Sequence, residues 1–154
     1  MAQFHRAHSA STILIVEPDA LMLTAIGGVL DMQGHKAILA RTEQVAQQAL
    51  QSQTVDLIIL SIDGLEAGCQ FAARLRAAEV NCDIPIVFIV PEMASHWSPR
   101  LQEQGGVFCI LRSLDPHDLI DLVDRALWMP HIAHRRAAPP TAHVHKANDW
   151  VKLD

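Results

Sequence analysis

Leu57-Ile58-Ile59-Leu60 is an unbroken aliphatic run, with Asp56 before it and Ser61, Asp63 and Gly64 after it. A short apolar run bounded by turn residues is the pattern of a strand covered on both faces, as in a parallel sheet with helices above and below. In such sheets ligand chemistry gathers just beyond the carboxyl ends of the strands. Here that end carries Ser61, with Asp63 two residues on. The side chains at this tip therefore limit what the protein can do.

The same signature recurs along the chain. Ser11–Val16 reads as a first strand closed by Glu17-Pro18-Asp19, where Pro18 holds Glu17 extended and Asp19 caps the helix that follows. That helix, Ala20 to Gln33, sets Met22, Ile26, Val29, Leu30 and Gln33 on one stripe and stops at Gly34. Lys36–Ala40 is a second strand. Thr42 then caps a helix that turns Val45, Ala46, Ala49 and Leu50 inward. After the strand at Asp56–Leu60, Glu66–Glu79 reads as a third helix with Phe71, Ala72 and Leu75 inward. Ile84–Val90 is a fourth strand, with Pro85 tolerated near its start. Ser98-Pro99 opens a short fourth helix ending at Gln104, which leaves Met93–Trp97 as loop. Val107–Leu111 is the fifth strand. Asp115-Pro116 starts a last helix with Leu119, Leu122, Val123, Ala126 and Leu127 on one face.

Strands alternating with helices predict an α/β fold: a three-layer, doubly wound (βα)5 parallel sheet of the flavodoxin-like kind, with strand order 2-1-3-4-5. Its boundaries are a flexible N-terminus over residues 1–10, a domain over 11–129, and a flexible Pro/Ala/His-rich tail over 130–154. Trp150, Val151 and Leu153 lie in the last stretch of that tail, which reads as a frayed terminus. The tail is too short and polar to build a DNA-binding output domain after Met129.

Composition removes several classes of function. Net charge is −5 with both signs interspersed, which offers no footprint for nucleic acid. The polar start has no signal-peptide core, and no apolar run approaches the roughly 20 residues needed to cross a membrane. Cys69, Cys82 and Cys109 are an odd number without C-x-x-C spacing, which fits three buried or half-buried thiols in a reducing cytoplasm. His131, His134, His143 and His145 sit in the tail without an orienting shell, so no metal site is expected there. The turn Glu17-Pro18-Asp19 brings negative charge and no glycine to the place where a nucleotide- or flavin-binding enzyme cradles phosphate. A small flavodoxin-like enzyme is therefore the weaker alternative, and no cofactor is expected.

This order of elements resembles the receiver domain of two-component response regulators, over about residues 12 to 129. The resemblance rests on Ile15-Val16-Glu17-Pro18-Asp19 after the first strand and on Asp56-Leu57-Ile58-Ile59-Leu60. It also rests on Pro85–Val90, on the run Gly106–Leu114, and on the spacing of Gly68, Phe71, Leu75 and Arg76 in the third helix. It implies a phosphorylatable aspartate at the tip of strand three, acidic residues after strand one that help hold Mg²⁺, a hydroxyl ending strand four, and a lysine after strand five.

Against that set, Ser61 stands at the aspartate position, and a serine hydroxyl is neutral and a weak nucleophile without an adjacent base. Glu17 keeps the first acidic position, Pro18 takes the second, and Asp19 follows one residue late. Val90 replaces the hydroxyl and Arg112 the lysine, exchanging a point charge for a planar fork. Ser113 stands where the family has a proline with a cis bond before it. The expectation is an atypical, stand-alone receiver acting as a protein–protein signalling module without aspartyl phosphorylation. Its partner would be a histidine kinase or another regulator. Asp63 is the alternative, shifted acceptor, and Mg²⁺ is left with a depleted set of oxygen ligands. Glu17 and Arg112 are expected to pair. Trp97 and Trp128 mark candidate anchors on the helix 4–strand 5–helix 5 face, through which a homodimer would form, and Trp150 is a third candidate.

Overall fold

The computed structural model describes residues 10–128 and the backbone of 150–152. Five strands, β1 (Thr12–Val16), β2 (Lys36–Ala40), β3 (Leu57–Ser61), β4 (Ile86–Val90) and β5 (Gly106–Leu111), alternate with five helices. The helices are α1 (Ala20–Met32), α2 (Glu43–Ser52), α3 (Leu65–Leu75), α4 (Trp97–Glu103) and α5 (Pro116–Trp128). The five strands are parallel in the order 2-1-3-4-5, as the alternation predicts, and β6 (Trp150–Lys152) adds antiparallel to the outer edge of β5.

The two-residue period of the strands sorts the core into two layers. Leu14, Ile58, Leu60, Phe88 and Val90 pack toward α2, α3 and α4 with Leu50, Ala72, Leu75 and Leu101. Ile13, Ile15, Ile59, Val87 and Ile110 pack on the other side with Leu23, Ile26 and Leu30 of α1 and Leu119, Leu122 and Val123 of α5. Every residue of β3 is buried, as its unbroken aliphatic run requires.

Local chemistry sets the ends of the elements. The Asp19 carboxylate accepts from Met22 N at 2.9 Å to cap α1, and Thr42 Oγ1 accepts from Val45 N at 3.3 Å to cap α2. Asp56 ties the foot of β3 to β1 twice: its amide donates to Thr12 O at 2.8 Å and its carboxylate accepts from Thr12 N at 2.8 Å. Ion pairs Arg74–Glu43 and Arg100–Glu66 link α3 to its neighbours on either side.

The structure corrects several details. On α1 the buried residues are Leu23, Ile26, Gly27 and Leu30; Met22 and Val29 are half-buried and Gln33 is exposed, so the helix is rotated from the expected stripe. At Gly27 an added Cβ would come within 2.7 Å of Leu39 Cδ2, so the missing side chain leaves room for Leu39 of β2. Val45 is exposed and Cys82 is exposed, where both were expected inside. Helix α3 ends at Leu75 rather than Glu79, and Glu79–Asn81 is a separate 3-10 turn. Helix α4 begins at Trp97, not Ser98. Trp150–Lys152 does not fray: its backbone pairs with Phe108–Ile110, giving β5 the hydrogen-bonding partner that an edge strand lacks. Residues 1–9, 129–149 and 153–154, with the tail histidines, lie outside the described residues.

Gly105, between α4 and β5, has φ +82 and passes its carbonyl to Ile86 N at 3.0 Å. An added Cβ would also meet the Arg76 guanidinium. Gly105→Ala is expected to cost about 1–3 kcal/mol from its left-handed backbone. Urea unfolding should show a lower midpoint at unchanged slope.

Candidate functional site

The carboxyl ends of β1, β3, β4 and β5 meet along one rim of the sheet. Pairing of Val16 with Leu60 in parallel register sets the next residues, Glu17 and Ser61, side by side. Both are buried, at 2% and 7% exposure. Ser61 Oγ donates to Glu17 Oε2, while Asp19 N donates to Glu17 Oε1 at 3.0 Å. The Glu17 amide donates to Ala40 O at 3.0 Å, which anchors the turn to β2. A carboxylate withdrawn from water needs such donors, because leaving it unpaired costs more than an ordinary hydrogen bond contributes. Pro18 cannot donate, so the amide of Asp19 takes that place.

Arg112 does not pair with Glu17. Its Nη2 lies 2.9 Å from Asp63 Oδ1, with Asp63 80% exposed and Arg112 partly so. The strand order explains this: β5 is separated from β1 by two strands, whereas Asp63 lies on the loop that leaves the tip of β3. Backbone bonds steer both loops, with Ile62 N donating to Ile89 O at 2.9 Å and Arg112 N to Val90 O at 2.8 Å. Arg112 Nε is buried without a hydrogen-bond partner among the described residues. Val90 is 1% exposed and belongs to the core with Leu60, Trp97 and Leu101, so strand four ends in packing and supplies no hydroxyl. Every peptide bond among the described residues is trans, including the one before Ser113.

These groups do not fit a resident Mg²⁺. The ion needs several oxygen ligands in near-octahedral array. Glu17 is committed to Ser61 and Asp19 N, Asp19 to the cap of α1, and Asp63 to Arg112. Among the described residues no group of three or more His, Cys, Asp or Glu side chains could hold a metal ion.

A second feature went unforeseen. A cavity of about 280 Å³ lies beside the rim, lined by residues 92–95 and by Trp97, Ser98, Leu101 and Cys109. Trp97 is 9% exposed and forms part of its wall, so it is not an exposed anchor, whereas Trp128, at the end of α5, is 54% exposed. The glycine-free loop at 91–96 gave no period from which this hollow could be read. Burial pushes the Cys109 thiol up to about 12, so it stays protonated in this wall.

Solved structures share this architecture. A CheY-like response regulator receiver domain from Methanospirillum hungatei superposes with a TM-score of 0.70 over 81% of this chain and 99% of its own, at 16% identity. The receiver-domain fold is this chain's fold. A response regulator from Thermotoga maritima (TM-score 0.69, 78% and 99% covered, 20% identity) and one from Clostridium difficile (TM-score 0.67, 77% and 96%, 24% identity) agree. By sequence, the phosphate regulon transcriptional regulatory protein PhoB of Pseudomonas aeruginosa is 29% identical over 111 residues, 71% of this chain. That match spans 48% of PhoB, so the chain covers about half of the regulator's length. No family model matches the chain. No helix among the described residues of this receiver fold is long and apolar enough to cross a membrane.

Two outcomes follow for the native protein. Ser61→Ala leaves a buried Glu17 oxygen without its donor and should cost about 1–3 kcal/mol, whereas Arg112→Ala removes an exposed pair worth about 0–1 kcal/mol; urea unfolding distinguishes them. With a thiol reagent at pH 8, Cys82 should react at once, and Cys69 and Cys109 only after denaturation.

Proposed function

We propose that the chain is an atypical receiver domain that transmits signals by protein–protein contact in a phosphorelay-type system, without aspartyl phosphorylation of its own. The observation that carries this reading is the hydrogen bond from Ser61 to Glu17, buried where the receiver fold has its acidic rim. A serine there supplies no carboxylate to accept a phosphoryl group or to ligate Mg²⁺. The carboxylate beside it already has its donors. The partial sequence match to PhoB, a named regulatory protein, supports the signalling class. Its partner in this reading is a histidine kinase or another regulator in the cytoplasm, and the protein is not itself an enzyme.

One observation favours a second reading. Asp63 is exposed and sits 2.9 Å from a cationic side chain, as a shifted acceptor would. One experiment decides between the two. The chain is incubated with acetyl phosphate and Mg²⁺ and weighed intact. No mass gain is expected; a hydroxylamine-labile gain of one phosphoryl group that disappears in Asp63→Ala would overturn the proposal in favour of the shifted site.

A further inference from the structure

Helix α1 carries a single charged residue, Asp31, in 13 positions. At 100° per residue, Leu21, Ala25, Gly28 and Met32 fall within about 60° of arc, directly opposite the buried Leu23, Ile26, Gly27 and Leu30. This ridge is where an ordinary surface helix puts charge. Instead Leu21 is 82% and Met32 84% exposed, with Ala25 and Gly28 exposed between them. The buried Leu23, Ile26 and Leu30 hold the opposite face in the core, so the ridge cannot turn inward without exposing them. Even the hydroxyl of Thr24, on the flank, is spent within the helix on Ala20 O at 2.8 Å.

We propose that this ridge is the contact between two copies of the chain, with their α1 helices crossing antiparallel about a two-fold axis. The order large, small, small, large is its own reverse. In an antiparallel pair Leu21 meets Met32 of the second copy and Ala25 meets Gly28, so the small residues let the backbones approach while the large ones clasp at the ends. A two-fold contact requires this self-complementarity. Charge selects the direction. Parallel helices would set two Asp31 carboxylates side by side, whereas the antiparallel pair separates them by about 13 Å along the axis. A ridge without charge also gives nothing for a charged partner to read.

Edge occupancy points the same way. The outer edge of β5 already carries β6, which takes up main-chain groups on the helix 4–strand 5–helix 5 face first considered for a homodimer. The ridge is about 16 Å long and offers less than the roughly 800 Å² per partner of a standard stable interface. The dimer is therefore weak and exchanging. None of this depends on whether the receiver reading is right.

Sedimentation of the full chain from about 5 µM to about 500 µM should show monomers turning to dimers across that range, the regime of weak contacts. Gly28→Arg should stay monomeric throughout with its melting temperature unchanged or raised, because an added Cβ at position 28 meets nothing within 4 Å in the monomer. A native chain that remains monomeric to the top of the range, or a Gly28→Arg protein that dimerises like the native one, would overturn the proposal. Orientation is read by oxidative crosslinking in a Cys82→Ser background. Ala25→Cys, close to the axis, should crosslink, and Met32→Cys, about 16 Å from its symmetry mate, should not. Crosslinking through Met32→Cys as readily as through Ala25→Cys would rule out the antiparallel pairing.

Discussion

Burial of β3 on both faces is the constraint on which the rest of the fold hangs. Its four aliphatics are fully buried, each contributing about 1.5–3 kcal/mol relative to exposure. They divide between the two cores, with Ile58 and Leu60 toward α2–α4 and Leu57 and Ile59 toward α1 and α5. A slip of one residue would exchange the two sets, so the register against β1 and β4 is held tightly. That register carries Ser61 to the side of Glu17 and sets the adjoining loop, with Asp63, within reach of Arg112.

Apart from the buried Arg112 Nε, the charged groups of the rim find partners within it. Glu17 is buried and receives a hydroxyl and an amide; Arg112 turns outward to Asp63. The Glu17 carboxylate and the Arg112 guanidinium are thus committed to different neighbours. Val90 packs between β4 and α4 with Trp97 and Leu101 and offers no hydrogen-bond donor there. In the proposed reading, these replacements leave the folded surface as what the protein offers to others.

Much of this was legible in the residues. The unbroken runs at 57–60 and 86–90 and the caps at Asp19 and Thr42 place the elements and their order, because burial on both faces and unpaired helix-end amides leave few alternatives. The position of Ser61 was legible for the same reason. What escaped was pairing. Opposite charges at strand tips suggest Glu17 with Arg112, although the expected strand order sets residues 17 and 61 on adjacent strands. The buried face of α1 is hard to read because it includes Gly27, which has no side chain to count in a hydrophobic stripe. The pairing of residues 150–152 with β5 joins segments far apart in sequence, and a three-residue strand has no period to announce it.

The central claim is that the Ser61–Glu17 rim takes no phosphoryl group. Titration of the ¹⁵N-labelled chain with beryllofluoride and Mg²⁺, a mimic of an aspartyl phosphate, tests it directly through the amide resonances of residues at the rim. The account predicts that Glu17, Ser61, Ile62, Val90 and Arg112 keep their shifts at saturating reagent. Saturable shifts confined to those residues would contradict it.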